Sequence, residues 1–321
     1  MSWFTVKKKV VTFLSLFCVF NSHAMETDQY MTWNLELQDS NQVISEFIDK
    51  NIKKSLELVN KKHPTSCQTV AKKVLEWNGG ATDYLTQVEK FSYESDRVDR
   101  YPKINTTTYG VIGESIYANV DYFKLKIFGV NVQVNGVYFG IDKLGHFLTV
   151  GFTYYKQYLR AIESGHEESV AIKKALRKGV FTEKTYYGDI VSGVFSYADL
   201  EANYQGLRFA LDLCDGPNPI LEQDEKGEWT YRGNFDVSTY VNPNWDESYN
   251  PSSYIPKRWN QVEPMMKKYC DKQNGEIIKK RFQYYQSFQL ENDSTTFLDS
   301  LMHNGEIRSP FKYSLKYICQ N

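Results

Sequence analysis

The sequence predicts a mainly α-helical fold, with a small β-hairpin just before the core helix and a long aromatic, irregular segment after it. Three observations lead there. Apolar residues recur at helical spacing over 41–61, 143–162, 167–178 and 197–213. Strict alternation surrounds a single turn signal: Val130, Val132 and Val134 precede Asn135-Gly136, and Val137 and Phe139 follow it. Residues 222–258 are polar, aromatic and proline-bearing, with little periodicity.

Taken in order, the chain opens with Lys7, Lys8 and Lys9, the apolar run Val10–Phe20 and the small-residue site Ser22-His23-Ala24. A charged start, a short apolar run and an A-x-A-like end make a signal peptide over 1–24. The run falls well short of the ~20 residues that span a bilayer. Cys18 follows Ser-Leu-Phe rather than small residues, so it does not read as a lipid attachment site. The expectation is an exported chain, periplasmic or secreted, with no transmembrane span after cleavage. Loss of the three lysines moves the formal charge from −1 to −4, spread without long one-sign blocks. Nothing in that balance calls for nucleic acid. Residues 25–321 read as a single mainly helical domain, with its core at about 110–214, the irregular aromatic segment at 215–258 and C-terminal helices over 260–321.

Four cysteines remain after cleavage: Cys67, Cys214, Cys270 and Cys319. An even count in an exported chain reads as two disulfides, and three connectivities stay open. Ile44, Phe47, Ile48, Ile52, Leu56 and Val59 form the apolar face of a helix over 41–61. Lys61-Lys62-His63-Pro64 separates it from a second helix at 66–77, because proline disfavours helix in the residue before it. Residues 78–112 read as mostly loop, with a short helix at 82–91. After the hairpin and the central helices, Asp215-Gly216-Pro217-Asn218-Pro219 stops the chain's helical run. The rings of 229–254 either pack on one another or offer a surface to sugars or a partner protein. Helices follow at 260–273, 275–290 and 294–303.

The residues that could carry chemistry sit at two helix starts. In Gly140-Ile141-Asp142-Lys143-Leu144-Gly145-His146-Phe147, Asp142 and His146 are four apart and share a face. That face continues through Thr149, Thr153 and Gln157, opposite Leu144, Phe147, Leu148, Tyr155 and Leu159; it either meets water or lines a polar cleft. In Ser196-Tyr197-Ala198-Asp199-Leu200-Glu201-Ala202-Asn203, Asp199 and Asn203 repeat the spacing. Ala202 and Gly206 on one helix, and Gly145 and Gly151 on the other, leave room for close approach. The simplest assembly brings Asp142, His146, Asp199 and Asn203 together, where each polar group must find a partner because an unpaired one costs about 1–3 kcal/mol.

Two accounts of those four residues stay open. In the first, Asp142 is an N-cap, Ser196 and Asp199 form a capping box, and His146 is a satisfied buried histidine. In the second they are a catalytic site: an aspartate orients His146 as a general base with its other nitrogen free, or Asp142, His146 and Asp199 bind a divalent metal through mixed N/O donors. With one histidine in the cluster, closed zinc sites are not supported unless His166 folds in. Lys143 reads as a solvated lysine, or one that snorkels or meets an anion. Glu114 and Glu183 could approach the cluster, but lone glutamates near helix starts are usually dipole partners. No phosphate loop and no G-x-S-x-G elbow is present.

The pattern Asp-Lys-x-Gly-His-Phe, then some fifty residues, then Ser-x-x-Asp-Leu-x-Ala-Asn-x-x-Gly resembles the paired signature of VanZ-like and YfiM-like bacterial envelope proteins. It is carried by Asp142, Lys143, His146 and Phe147, and by Ser196, Asp199, Ala202, Asn203 and Gly206, across about 65 of the 321 residues. VanZ-like proteins are membrane-embedded, whereas the helices here are too polar to span lipid. The resemblance implies an envelope setting and a polar inter-helix site. The functional expectation is hydrolytic or transfer chemistry on an envelope lipid or glycan. The alternative is a binding or scaffolding module, partnered by an envelope lipid, glycan or protein, in which the cluster only packs helices.

Overall fold

The computed structural model describes residues 27–79, 85–103, 112–120, 129–185, 188–215 and 218–320. The signal peptide expected over 1–24 lies outside them, as do Gly216 and Pro217 of the expected helix stop. The fold is mainly helical, with only small two-stranded sheets.

Helix α1 (Asn41–Asn60) buries Ile44, Ile48, Ile52, Leu56 and Val59, the face its spacing predicted. It breaks where His63 takes a positive φ of 46° ahead of Pro64. Helix α2 (Cys67–Leu75) starts at the Ser66 cap. Helix α3 runs Gln87–Glu94 rather than 82–91. Its start is set by a capping box, in which Glu89 Oε2 accepts from Thr86 N at 2.6 Å and the Thr86 side chain faces the N3 backbone.

Strands β1 (Asn131–Val134) and β2 (Val137–Gly140) pair antiparallel, Val134 opposite Val137. Asn135 and Gly136 have φ of 47° and 78°, the mirror-image turn that the Asn-Gly pair predicted. The hairpin feeds helix α4 (Asp142–Gly145), a π-helical turn (His146–Val150) and helix α5 (Gly151–Glu163) without interruption. The sequence predicted one regular helix over this span. The widened turn opens at His146.

Helices α6 (Glu168–Lys184) and α7 (Tyr197–Cys214) both pack on α5. The small residues act as expected where α5 meets α7: a Cβ on Gly206 would stand 1.9 Å from the Phe147 carbonyl oxygen, and one on Gly151 2.6 Å from Gly206 Cα. Gly145 serves a different neighbour. A Cβ there would stand 2.4 Å from Glu89 Oε1, so its missing side chain admits α3, not α7.

The segment expected to be irregular contains a hairpin, β4 (Leu221–Gln223) with β5 (Trp229–Tyr231), turned by Asp224, whose Oδ1 accepts from Lys226 N and Glu228 N at 2.9 Å each. Its rings are core. Trp229, Phe235, Tyr240, Trp245 and Tyr254 are buried, and Trp245 packs edge-on against Phe139 at 5.1 Å and beside Phe147 at 5.8 Å. Of the two readings of these rings, their burial favours packing; Tyr231 and Tyr249 are half-buried.

Strand β3 (Val194–Phe195) pairs with β6 (Ser253–Tyr254), tying the start of α7 to the end of this segment. Helices α8 (Pro256–Met266), α9 (Glu276–Tyr285), α10 (Asp293–His303) and α11 (Leu315–Ile318) complete the chain. The main core reaches beyond 110–214, from Ile44 to Tyr285. A second cluster joins Tyr30 and Trp33 to Met265, Tyr269 and Tyr313 near the other end of the chain.

The disulfides are Cys67–Cys214, which staples the start of α2 to the end of α7, and Cys270–Cys319. They close loops of 147 and 49 residues in sequence separation. In a chain-entropy account each such closure contributes roughly 4–5 kcal/mol. Among the described residues no helix is long and apolar enough to cross a membrane.

Candidate functional site

The cluster forms where α4 and the π turn lie across the first turns of α7. Lys143 is its centre, and the structure corrects the expectation of a solvated lysine: its side chain is 0% exposed. Its Nζ lies 2.7 Å from Asp142 Oδ2, 2.7 Å from Asp199 Oδ1 and 2.8 Å from Glu247 Oε1. The ammonium donates to Asp142 and Glu247, and Asp199 Oδ1 faces it as an ion pair, so one cation stands among three carboxylates. Burial pulls its pKa down, but Asp142, Asp199 and Glu247 outweigh that and hold it well above the ordinary lysine value.

Asp142 is not the N-cap. Ile141 already has helical angles and takes that place, because β2 runs straight into the helix. The Asp142 carboxylate is used inside the cluster instead, accepting from Lys143 Nζ on Oδ2 and from Thr27 Oγ1 on Oδ1 at 3.1 Å. At the second helix only half of the capping box forms. Ser196 Oγ accepts from Asp199 N at 3.1 Å, while the Asp199 side chain turns inward to Lys143 and His146. Ser196 also donates to Glu247 Oε1 at 2.8 Å, and its backbone N–H donates to Glu183 Oε1 at 3.1 Å.

His146 is held at both ring nitrogens. Nε2 lies 3.2 Å from Asp199 Oδ2, and Nδ1 lies 3.0 Å from Asn203 Oδ1. The Asn203 amide also reaches Tyr154 OH at 3.5 Å. Whichever way that amide is turned, both nitrogens are engaged. The general-base account needed one of them open, so the geometry does not favour it.

Exposure is graded across the cluster. Lys143 is sealed, the Asp142 and Glu247 side chains are each 6% exposed, and Asp199 and His146 reach 12% and 15%. The cluster therefore meets solvent at its His146–Asp199 edge. Burial pushes the Asp199 carboxyl up, but His146 and Lys143 together hold it below the ordinary range. Burial raises Glu247 to about 6; Lys143 opposes this, while Asp199 and Asp142 add to it. Burial likewise raises Glu89, above Gly145, to about 7.

Asp142, His146 and Asp199 each offer one ligand atom, and these atoms all lie within 4.8 Å of one another. The four residues singled out from sequence thus come together, three as candidate ligands and Asn203 behind the histidine. The rest of the expected polar stripe leaves the cluster: Thr149 is buried and accepts from Asn78 Nδ2 at 3.1 Å, and Gln157 is half-buried. Glu183 does approach, through Ser196. Glu114 and His166 are exposed and take no part, since each sits on a surface turn. Sequence reasoning missed Glu247, Thr27 and Glu89. Only Glu89 carried a usable signal, the Thr86-Gln87-Val88-Glu89 capping pattern that fixes where its helix begins.

No family model, curated protein or solved structure matches the chain. The likeness to VanZ-like and YfiM-like proteins therefore rests on the two motifs alone.

Proposed function

We propose that this is an exported bacterial envelope protein in which Asp142, His146 and Asp199 hold a divalent metal ion for hydrolytic or transfer chemistry on an envelope lipid or glycan. The observation that carries the metal is the setting of His146. Two ligands bound at about 2.0–2.2 Å to one ion, at tetrahedral or octahedral angles, stand roughly 2.8–3.6 Å apart. His146 Nε2 and Asp199 Oδ2 are 3.2 Å apart. A metal-binding histidine commonly donates its other N–H to an oxygen that fixes the ring, and Asn203 Oδ1 stands at that position, 3.0 Å from Nδ1.

Lys143 takes Asp142 Oδ2 and Asp199 Oδ1, so Asp199 Oδ2, beside His146 Nε2, is left to face an ion, while Asp142 Oδ1, which accepts from Thr27 Oγ1, has a second lone pair to offer. Such an ion supplies Lewis acidity and an activated water. The residues around it orient the ligands and, through Lys143, keep the inner carboxylates ionised. The π turn at His146 fits this reading, because such turns inside α-helices are frequent at functional sites. The envelope setting draws on the signal-like start, the two disulfides and the motif resemblance.

A scaffolding reading has its own support in the fully paired Lys143 and the close Gly151–Gly206 crossing. One experiment separates the two. Protein purified without chelators or affinity tags is analysed for metal, stripped, and titrated with Mn2+ and with Zn2+ by calorimetry. The expectation is one ion per chain, loss of binding in His146→Ala, and a roughly 10–100-fold weaker site in Asn203→Ala. Wild-type protein that takes up no stoichiometric ion, with His146→Ala destabilised and His146→Gln restored, leaves the cluster as a helix-packing network.

A further inference from the structure

A groove of about 710 Å³ lies between α1 and α2, in the size range of small-ligand clefts, roughly 300–1,000 Å³. Its lining is mainly apolar, with Leu58, Val59, Pro64 and Trp77. Leu58 is 55% exposed on a helix whose other large aliphatic residues are buried or half-buried. Nothing in the described chain covers it.

The charged residues of the lining are four lysines and one acid. Lys54, Lys61 and Lys62 line the groove, are exposed, and make no ion pair among the described residues. Lys73 is also there, paired with Glu76 at 2.8 Å, the one acid of the lining. Three uncompensated ammonium groups stand together on a chain whose overall formal charge is −1. An apolar recess edged by unpaired lysines is complementary to an amphiphile with an anionic head. The apolar residues sit in a cleft, with Val59 buried and Trp77 half-buried, which suits a chain inserted from solution over a flat bilayer surface.

We propose that this groove binds one single-chain anionic lipid, its acyl chain along Leu58, Pro64 and Trp77 and its acidic head group on Lys54, Lys61 and Lys62. The site is separate from the Asp142–His146–Asp199 cluster, and the inference does not rest on the metal reading.

The test is calorimetric titration of the mature, disulfide-intact protein with lauroyl lysophosphatidylglycerol below its micelle concentration. Parallel arms use the zwitterionic lauroyl lysophosphatidylcholine, glycerol phosphate, and phosphatidylglycerol vesicles. The expected result is one lysophosphatidylglycerol per chain, at least tenfold weaker binding of lysophosphatidylcholine, and none of glycerol phosphate. Lys61→Glu/Lys62→Glu and Leu58→Asp each weaken binding at least tenfold with the melting temperature unchanged, because all three positions are exposed; His146→Ala binds as wild type does. Equal affinity for the two lysolipids overturns the role of the lysines, and glycerol phosphate bound as tightly overturns the role of the apolar floor. Binding to vesicles alone makes the face a membrane surface, and indifference to all the groove variants places the lipid elsewhere; either result overturns the proposal.

Discussion

Asp199 and Glu201 stand two residues apart on α7, both buried, at 9% and 2% exposure, yet their carboxyls depart from the ordinary range in opposite directions. For each, burial is the largest influence and works against ionisation. The neighbours differ. Asp199 faces the Lys143 ammonium at 2.7 Å and the His146 ring at 3.2 Å, and these bring it below the usual carboxylate value. Glu201 receives three amide donors on Oε1, from Gln205 at 2.7 Å, Asn242 at 2.8 Å and Asn292 at 3.0 Å, and its carboxyl remains raised. Neutral amides satisfy a carboxylate's hydrogen bonding without offsetting the loss of water around its charge; an ammonium offsets both. One acid is thereby kept as an anion at the solvent edge of a cluster. The other is a clamp that ties α7 to the aromatic segment and to the cap of α10.

The largest break in that comparison is Lys143→Met. It leaves Asp142, Asp199 and Glu247 facing one another around an apolar stem, and losing one partner of a buried ionic group costs about 3–5 kcal/mol. Urea denaturation should show a loss of that order. The double variant Lys143→Met/Glu247→Gln should recover part of it, since Glu247, already raised to about 6, is the member most easily replaced by a neutral group. A single variant within about 1 kcal/mol of wild type would mean that the ammonium is not what keeps Asp199 ionised.

That centre was half legible in the sequence. Spacing of four put Asp142 with His146 and Asp199 with Asn203, and Gly151 with Gly206 marked the contact that joins the two helices, because these features depend on helical period alone. Lys143 was legible as a position but not as a role, since nothing local states that a lysine beside one aspartate will also face two distant acids. Glu247 could not be found, because it reaches the cluster from a segment without periodicity, 104 residues along the chain from Lys143. The aromatic segment stayed undecided for a related reason: nothing local says whether Trp245 and Phe235 pack or are displayed until Phe139 and Phe147 are seen against them. Helix ends moved where a cap decided them, as Thr86 did for α3.

Glu89 sharpens the comparison as an intermediate case. Burial raises it to about 7 from an ordinary 4.5; Asp142 adds to the rise, and the Thr86 bonds and His146 only moderate it. Between pH 4.5 and about 7 the unfolded chain releases this proton while the folded chain keeps it. Its contribution to stability is therefore complete below pH 4.5 and is lost as pH rises to about 7. Glu89→Gln should remove that slope, narrowing the stability gap between pH 5 and pH 8 by on the order of 2–3 kcal/mol, read from urea midpoints at the two pH values. An unchanged gap would place its folded titration near that of an ordinary glutamate.

Glu201→Gln should have the smallest effect. The variant keeps an acceptor for the Gln205, Asn242 and Asn292 amides on the Oε1 side, and its new NH2 takes the place of Oε2, which is buried without a hydrogen-bond partner. The stability change at pH 7 should be about 1–2 kcal/mol, because that amide group gains no partner in the space around Oε2, a cost offset in part by removing a carboxyl whose ionisation burial opposes. Asp199→Asn, chemically the same exchange two residues away, removes an anion from between Lys143 and His146, and so should cost more at that pH. If the two variants lose the same stability, the partners around Asp199 and Glu201 are equivalent in effect, and burial alone governs both acids.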